Sequence, residues 1–526
     1  MKVVTISSKG NLLESLRAEG CYVPAVCGGK GSCGKCAVRL VSGSLPISDA
    51  DRACFSQLEL DGGWRLACTA FPNEAVSVEI PGTGDQQFSI VSDFCNDITC
   101  CSTDSLEFHG DKEDLRTKNA NSDSRYGIAV DIGTTTICMA LVDITRQKAI
   151  ANYVAVNRQR EFGGDVISRI QSANNGNLLR LSESVRGQIQ DGVAGLAAQT
   201  GIKAGCIEKM VIAGNTTMIH LLLCLDCHAL GQAPFSPVML ELRKLPCREI
   251  FTGELSCDMV ILPGISAYVG ADICAGLFFT MMHAEQAPAI LLDIGTNGEM
   301  VLAHNGKILC AATAAGPAFE GGNIRWGTGS VPGAIDHVQC TDGAFSVTTI
   351  DGKPPVGICG SGVIETAYQG LANGLILASG RLTGGALSLA KAPDGRDIAF
   401  CQKDVRELQL AKSAIRSGLD ALLHHAGLGY GDIQTLYIAG GFGFHLNLEC
   451  AAGIGLLPAP LLPKVSVLGN SALGGAVQYL LNSALAGAGG CDAALAEIVA
   501  QAREFNLGDD GYFKSHFIQN LDFDNF

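Results

Sequence analysis

Short apolar runs separated by glycine turns open the chain. "KVVTI", "CAVRLVSG" and "AVSVEIPG" alternate like half-buried strands, and "NLLESLRAE" is spaced for one short helix. Residues 1–81 therefore predict a small α+β module. Over 82–125 the pattern is lost: "GDQQFSIVSDFCNDITCCSTDSLEFHGDKEDLRTKNANSDS" is polar and acidic with no sustained period. It is expected to be a flexible polar linker with room for one short strand. From Tyr126 onward apolar strand-like runs alternate with helical ones, an α/β pattern. This part also echoes itself. "IAVDIGTTTICMALVD" (128–143) returns as "ILLDIGTNGEMVLAHNG" (290–306), and "KMVIAGNTTMIHLLL" (209–223) returns as "TLYIAGGFGFHLN" (435–447). Two copies in one order predict two similar lobes facing each other, the first over 126–287 and the second, with a C-terminal tail, over 288–526.

Composition narrows the chemistry. The 526 residues exceed one domain and, at about 100–200 residues each, suggest three or four. With 47% hydrophobic residues the chain can bury substantial cores, and a net charge of −15 makes nucleic acid or an anionic membrane surface a poor partner. No apolar run approaches the ~18–20 residues of a membrane span. The start, "MKVVTISSKGNLL", has neither a continuous apolar core nor a small-residue cleavage site, so a cytoplasmic protein is expected. In that compartment 22 cysteines point to metal ligation or small buried hydrophobes rather than disulfides.

One cysteine group stands out. In "CGGKGSCGKC", Cys27, Cys33 and Cys36 share a glycine-rich loop, and Cys68 follows in "RLACTA", giving C-x5-C-x2-C-x31-C. Thiolates hold [2Fe–2S] clusters in this style, three on one loop and a distant fourth, although the plant-type ferredoxin spacing has x4 where this chain has x5. Gly28, Gly29, Gly31 and Gly34 would let backbone N–H groups approach the sulfides. A four-thiolate zinc site is the alternative, but such sites usually pair two C-x2-C knuckles and Cys68 has no such neighbour. Cys21, Cys54, Cys95, Cys100 and Cys101 are expected to be bystanders.

A second chemistry lies in the repeated turns. "DIGTTT" (Asp131–Thr136) and "DIGTNGE" (Asp293–Glu299) each follow an apolar strand. A tight Gly-Thr hairpin lets N–H and hydroxyl groups close on phosphate oxygens, and an Asp at the strand end is placed to hold Mg²⁺ through water. One such turn is weak; two, each leading an equivalent lobe, are strong.

These turns resemble the two phosphate motifs of the acetate kinase, sugar kinase, Hsp70 and actin superfamily, and "IAGGFG" (Ile438–Gly443) resembles its adenosine motif. The resemblance implies ATP in a cleft between two ribonuclease H-like lobes. Asp131 and Asp293 would flank Mg²⁺; Gly133, Thr134, Thr135, Thr136, Gly295, Thr296 and Asn297 would hold phosphates; Gly440, Gly441 and Gly443 would receive adenosine. Glu299 and Glu320 are the carboxylates placed to orient a hydrolytic water.

A closer resemblance covers nearly the whole chain. "CGGKGSCGKC…GWRLACTA", "REFGGDVISRI", "AGNTTMIHLLL", "GADICAGL", "ATAAGPAFEGG", "GICGSGVIE", "LQLAKSAIRSGL" and "GNSALGGA" are similar to the reductive activators of corrinoid proteins. In "FEGGNIRWGTGS" the chain departs from that pattern, lacking the cysteine expected at or near Trp326. The family implies a β-grasp ferredoxin-like domain joined to the ATPase, a corrinoid protein of a methyltransferase system as partner, an external electron donor, and a homodimer. It implies ATP-dependent delivery of one electron to Co(II) cobalamin to restore Co(I). Two other uses fit an iron–sulfur ATPase: donation to another low-potential enzyme, and a redox sensor gated by nucleotide. Weaker signals remain. "CLDCH" (Cys224–His228) falls on a predicted amphipathic helix and reads as core cysteines. His424 and His425 read as a partly exposed helical pair. "GICGSG" (357–362) reads equally as a phosphate loop or a helix N-terminus.

Overall fold

The computed structural model describes residues 2–7, 10–19, 21, 23, 29–31, 34–80, 124–253, 255–443 and 446–523. The expected linker falls outside the described residues but for its last two positions, as do Cys27 and Cys33.

The N-terminal module is a four-stranded sheet in the order β1-β4-β2-β3, from β1 (Lys2–Ile6), β2 (Ala37–Ser42), β3 (Trp64–Leu66) and β4 (Val76–Ile80). The predicted helix is present as Leu12–Ala18, with Asn11 capping it through its side-chain oxygen. Leu12, Leu13 and Leu16 drop from that helix onto Val38, Val76 and Val78 of the sheet. Two short helices escaped the periodicity argument, Asp49–Cys54 and Gln57–Asp61. Each is announced by a capping box, Ser48 with Asp51 and Ser56 with Glu59, rather than by an apolar stripe.

The two later lobes repeat one topology. In the first, β5 (Tyr126–Ile132), β6 (Thr136–Asp143) and β7 (Lys148–Val156) form an antiparallel meander. Strand β8 (Ile207–Gly214) joins β5 in parallel; β9 (Arg243–Pro246) and β10 (Asp258–Ile261) complete the order β7-β6-β5-β8-β10-β9. In the second lobe β11 (Ala289–Ile294), β12 (Gly298–His304) and β13 (Lys307–Thr313) make the same meander. An insertion follows, with β14 (Ala334–Thr341), β15 (Ala344–Thr349), β16 (Gly357–Ile358) and the hairpin β17 (Leu387–Lys391) and β18 (Asp397–Phe400). Then β19 (Thr435–Ala439) pairs with β11 and β20 (Val465–Gly469) with β19, both in parallel, and β21 (Ala502–Glu504) edges β13. The echoed sequence segments thus occupy equivalent strands.

What joins the lobes is a shared core. Ala129, Ala140 and Val211 of the first sheet and Leu291, Val301 and Tyr437 of the second pack on the same two helices, Ala271–Thr280 and Ser471–Leu485. These helices cross very closely: a Cβ on Gly475 would lie 2.1 Å from the Ala275 carbonyl oxygen. Asn470, which caps the second of these helices, bonds Asp131 of the first hairpin. Among the described residues no helix is long and apolar enough to cross a membrane.

Candidate functional site

The two glycine-threonine turns meet. The first closes on a Gly133 N–H to Thr136 oxygen bond of 2.9 Å, the second on Gly295 N–H to the Asn297 oxygen at 2.9 Å. One carboxylate joins them. Glu320 Oε2 accepts from Thr135 Oγ1 at 2.7 Å and from Thr296 Oγ1 at 2.8 Å, and the two hydroxyls are 3.5 Å apart. Glu320 ends a short 3₁₀ turn, Pro317–Glu320, that follows β13. Residues proposed for both phosphate turns and a proposed water-orienting carboxylate are therefore in direct contact.

Two asparagines, which the sequence reasoning did not single out, serve the first hairpin. Asn215 caps the helix Thr216–Leu223 through Oδ1 while its Nδ2 donates to Thr134 Oγ1 at 2.9 Å. Asn470 caps the helix Ser471–Leu485 in the same way, and its Nδ2 donates to Asp131 Oδ2 at 2.8 Å. The signal was present: "GNTT" and "GNSA" both place Gly-Asn between a strand and a helix. Arg169, fully buried, donates from Nη2 to the Thr134 carbonyl at 2.6 Å and from Nε to the Gly163 carbonyl at 3.0 Å. Burial, then repulsion from Arg160, lowers its guanidinium to about 9. Most of the positive charge still persists behind the phosphate turn at neutral pH.

The acids of the two hairpins are coupled with Asp272 through their charges. Asp131, Asp272, Asp293 and Glu299 are each half-buried. Burial lifts Asp131 to about 7, against the Asn470 hydrogen bond and with help from the Asp272 charge. Asp293 rises to about 7 through burial and then the charges of Asp272, Asp131 and Glu320. Asp272 rises to about 6 through burial, opposed by N–H groups of its helix start. Burial and the Asp272 and Asp293 charges push Glu299 well above the usual range. Asp272 lies in "GADICAGL", a stretch that carried the family resemblance but no expected role for this residue. Such crowded hard oxygen donors suit Mg²⁺, which takes one or two carboxylates, waters and phosphate rather than an all-protein cage.

Gly440, Gly441 and Gly443 follow β19 on the same side of the cleft. A Cβ on Gly440 would lie 2.7 Å from Asp293 Oδ1, so this turn runs directly against the second hairpin. Phe442 between them stacks on Phe319, centroids 5.0 Å apart, next to Glu320. "GICGSG" resolves into the N-terminus of the helix Gly360–Ala372, pressed against the Phe319 carbonyl. "CLDCH" is not helical as expected. The helix stops at Leu223 because Cys224 takes a left-handed φ of 57° as its C-cap, and Cys227 is buried. His424 and His425 are exposed in the last turn of the helix Gln402–Ala426.

The thiol site is described in part. Cys36 and Cys68 are buried with sulfurs 3.2 Å apart, and Gly29, Gly31 and Gly34 all have positive φ. Two buried thiols in contact, near glycines of left-handed backbone, fit shared ligation of one cluster. Cys54, expected as a bystander, sits beside this loop, its Sγ 3.8 Å from the Gly31 oxygen. The module is docked on the second lobe. Lys35 Nζ donates to the carbonyls of Ile324 (2.8 Å) and Gly327, Arg325 pairs with Glu59 at 3.0 Å, and the Arg396 guanidinium lies between Trp64 and Trp326.

Comparison with known proteins covers almost the whole chain. Family models match as the 2Fe-2S iron-sulfur cluster binding domain over residues 2–73, the RACo middle region over 126–285, and the C-terminal domain of RACo, the ASKHA domain, over 287–525. The corrinoid activation enzyme RamQ of Eubacterium limosum is 33% identical over 392 residues, 69% of this chain and 65% of that one. A Co(II) methylated amine-specific corrinoid protein reductase of Methanosarcina barkeri is 27% identical over 68% of this chain and 70% of its own. The chain thus spans about two thirds of the length of these relatives. A solved structure of a reductive activator for corrinoid, iron-sulfur protein is similar at a TM-score of 0.71 and 29% identity, covering 99% of this chain and 96% of that one.

Proposed function

We infer, since this chain belongs to the RACo family, that it is an ATP-dependent reductive activator passing one electron to a Co(II) corrinoid protein to restore Co(I). The observation that carries this reading is Glu320 clasping a threonine from each phosphate hairpin, in a chain whose Lys35, beside Cys36, bonds the same lobe. We take residues 1–81 as the electron carrier, 82–125 as its tether, and 126–287 and 288–526 as the two ATPase lobes. The family names support a corrinoid protein as the partner; its methyltransferase system, a homodimeric assembly and a cytoplasmic setting are part of this proposal.

The roles follow from donor chemistry. Thr134, Thr135 and Thr136 with Gly133, and Thr296 and Asn297 with Gly295, offer hydroxyls and N–H groups to phosphate oxygens, with the Arg169 charge behind them. Asp131 and Asp293, through water, would hold Mg²⁺, which when bound neutralises phosphate charge. Burial, with the Asp272 charge adding to it, holds back their ionisation. Gly440, Gly441 and Gly443 leave room for a nucleoside along the second hairpin. Once phosphate takes the Thr135 and Thr296 hydroxyls, the Glu320 carboxylate becomes available to orient a water, and Glu299 is the second candidate for that role. Cys36 and Cys68, with Cys27 and Cys33, would ligate the [2Fe–2S] cluster, which supplies single electrons near −400 mV in ordinary ferredoxins. Each ~59 mV of uphill gap costs about 1.4 kcal/mol for a one-electron step. ATP can contribute only by binding one state of the partner complex better than the other.

The test is anaerobic. The protein, a reductant and a Co(II) corrinoid protein are mixed with and without Mg-ATP, and cobalt is followed by its absorption. Co(I) that forms only with ATP supports the reading. Cobalt that stays Co(II), with hydrolysis indifferent to several corrinoid proteins, would sink it.

A further inference from the structure

Resting on the nucleotide reading of the hairpins, we propose that the seat holding the N-terminal module is a latch, which nucleotide phosphates open by taking Thr135 and Thr296 from Glu320.

The seat is built from both sides. Arg396, held by Asp394 at 2.8 Å through Nε, lies 4.1 Å from the Trp64 ring of the module and 4.8 Å from the Trp326 ring of the lobe. Both distances are within cation–π range. Glu59 receives Arg325 while also closing its own capping box with Ser56. Burial alone would raise the Glu59 carboxyl, yet its bonds to Ser56 and the Arg325 charge outweigh that and hold it below the usual range. Beside these contacts runs a cavity of about 360 Å³ lined by Lys35, Trp64, Arg325 and Arg396.

The seat is wired to the cleft through one short loop. Lys35, adjacent to Cys36, grips the carbonyls of Ile324 and Gly327. That loop leaves directly from Glu320 and folds tightly back on itself: a Cβ on Gly327 would lie 2.2 Å from the Gly321 oxygen. With so little slack, a displacement of Glu320 reaches the acceptors that Lys35 uses. Phosphate supplies the displacement, because it seeks the same two hydroxyl protons and its charge repels the carboxylate. Binding in the cleft and docking at the seat then oppose one another, so each weakens the other by the same factor.

The seat contains both tryptophans of the chain, which makes it observable. The cluster-loaded full chain is titrated anaerobically with Mg-AMPPNP while tryptophan emission, small-angle X-ray scattering and binding heat are recorded. Saturating nucleotide is expected to change the emission and enlarge the radius of gyration. Arg396→Ala and Arg325→Ala, both outside the cleft, are expected to start from the enlarged radius. They should bind AMPPNP about fivefold or more tightly than the parent. Nucleotide that binds with emission and radius unchanged, or both variants binding with parental affinity, overturns the latch alone. Absence of any nucleotide binding overturns both the latch and the ATP reading it rests on.

Discussion

Asp272 shows what a single side chain does to this cleft. Its charge raises Asp131, Asp293 and Glu299 together. The folded-state values of Asp131 and Asp293, about 7, lie above the ordinary 3.8. Such groups favour the folded state at acid pH, and that contribution is lost as pH rises toward 7. Asp272, itself raised from 3.8 to about 6, loses its own contribution over the same range, so Asp272→Asn is expected to stabilise the nucleotide-free protein more at pH 8 than at pH 5, measured by urea unfolding. An equal gain at both pH values would refute the repulsion argument. The same variant should move the onset of Mg-nucleotide binding to lower pH, because Asp131 and Asp293 then ionise more readily. Asn470→Ala is expected to do the reverse. It costs about 1 kcal/mol as a lost N-cap and removes the donor to Asp131, so Mg-nucleotide binding should require higher pH. Asp131 and Asp293 were legible because each ends an apolar strand before Gly-Thr. Asp272 and Asn470 were not, since their importance arises only where two distant helices cross.

That crossing is the element on which the cleft turns. The helices Ala271–Thr280 and Ser471–Leu485 meet so closely that Gly475 has no room for a methyl group against the Ala275 carbonyl. Alanine ordinarily stabilises a helix interior by about 1 kcal/mol over glycine. At Gly475 the sign should invert: Gly475→Ala is expected to destabilise by about 1–3 kcal/mol, as overpacking does, and to weaken nucleotide binding by displacing Asn470 and Asp272. Gly187→Ala is the control. It sits in the helix Leu178–Thr200 with open space around its Cα, so it should stabilise and leave binding alone. Chemical denaturation of both variants decides the point. The strands themselves were legible, because "DIGT" and its echo mark equivalent meanders. The crossing was hidden in "GADICAGL" and "GNSALGGA", whose small residues show only that something packs closely, not what. The seat on the second lobe was equally hidden, since Arg396 lies in a hairpin of the insertion that has no counterpart in the repeat.

At the scale of the whole molecule, the carrier and the ATPase have separate cores that touch through a polar seat. Among the described residues, the module's buried cluster runs from Ile6 to Ile80, and the lobes' clusters draw on residues from Tyr126 onward. Damage to one core should therefore not propagate into the other except through the seat. Cys68→Ser exploits this. Serine keeps the size of the side chain but supplies no thiolate, so the cluster absorption and all corrinoid reduction should vanish. Nucleotide binding should survive, because Thr135, Thr296 and Glu320 stand on the lobes. A purely modular protein would keep its parental nucleotide affinity. A latched one gives a different sign: a module loosened by loss of its cluster holds the seat less firmly, and affinity should rise. Calorimetric titration of Cys68→Ser with Mg-AMPPNP separates these cases. A fall in affinity would contradict both, and would mean that the thiol module supports the cleft directly.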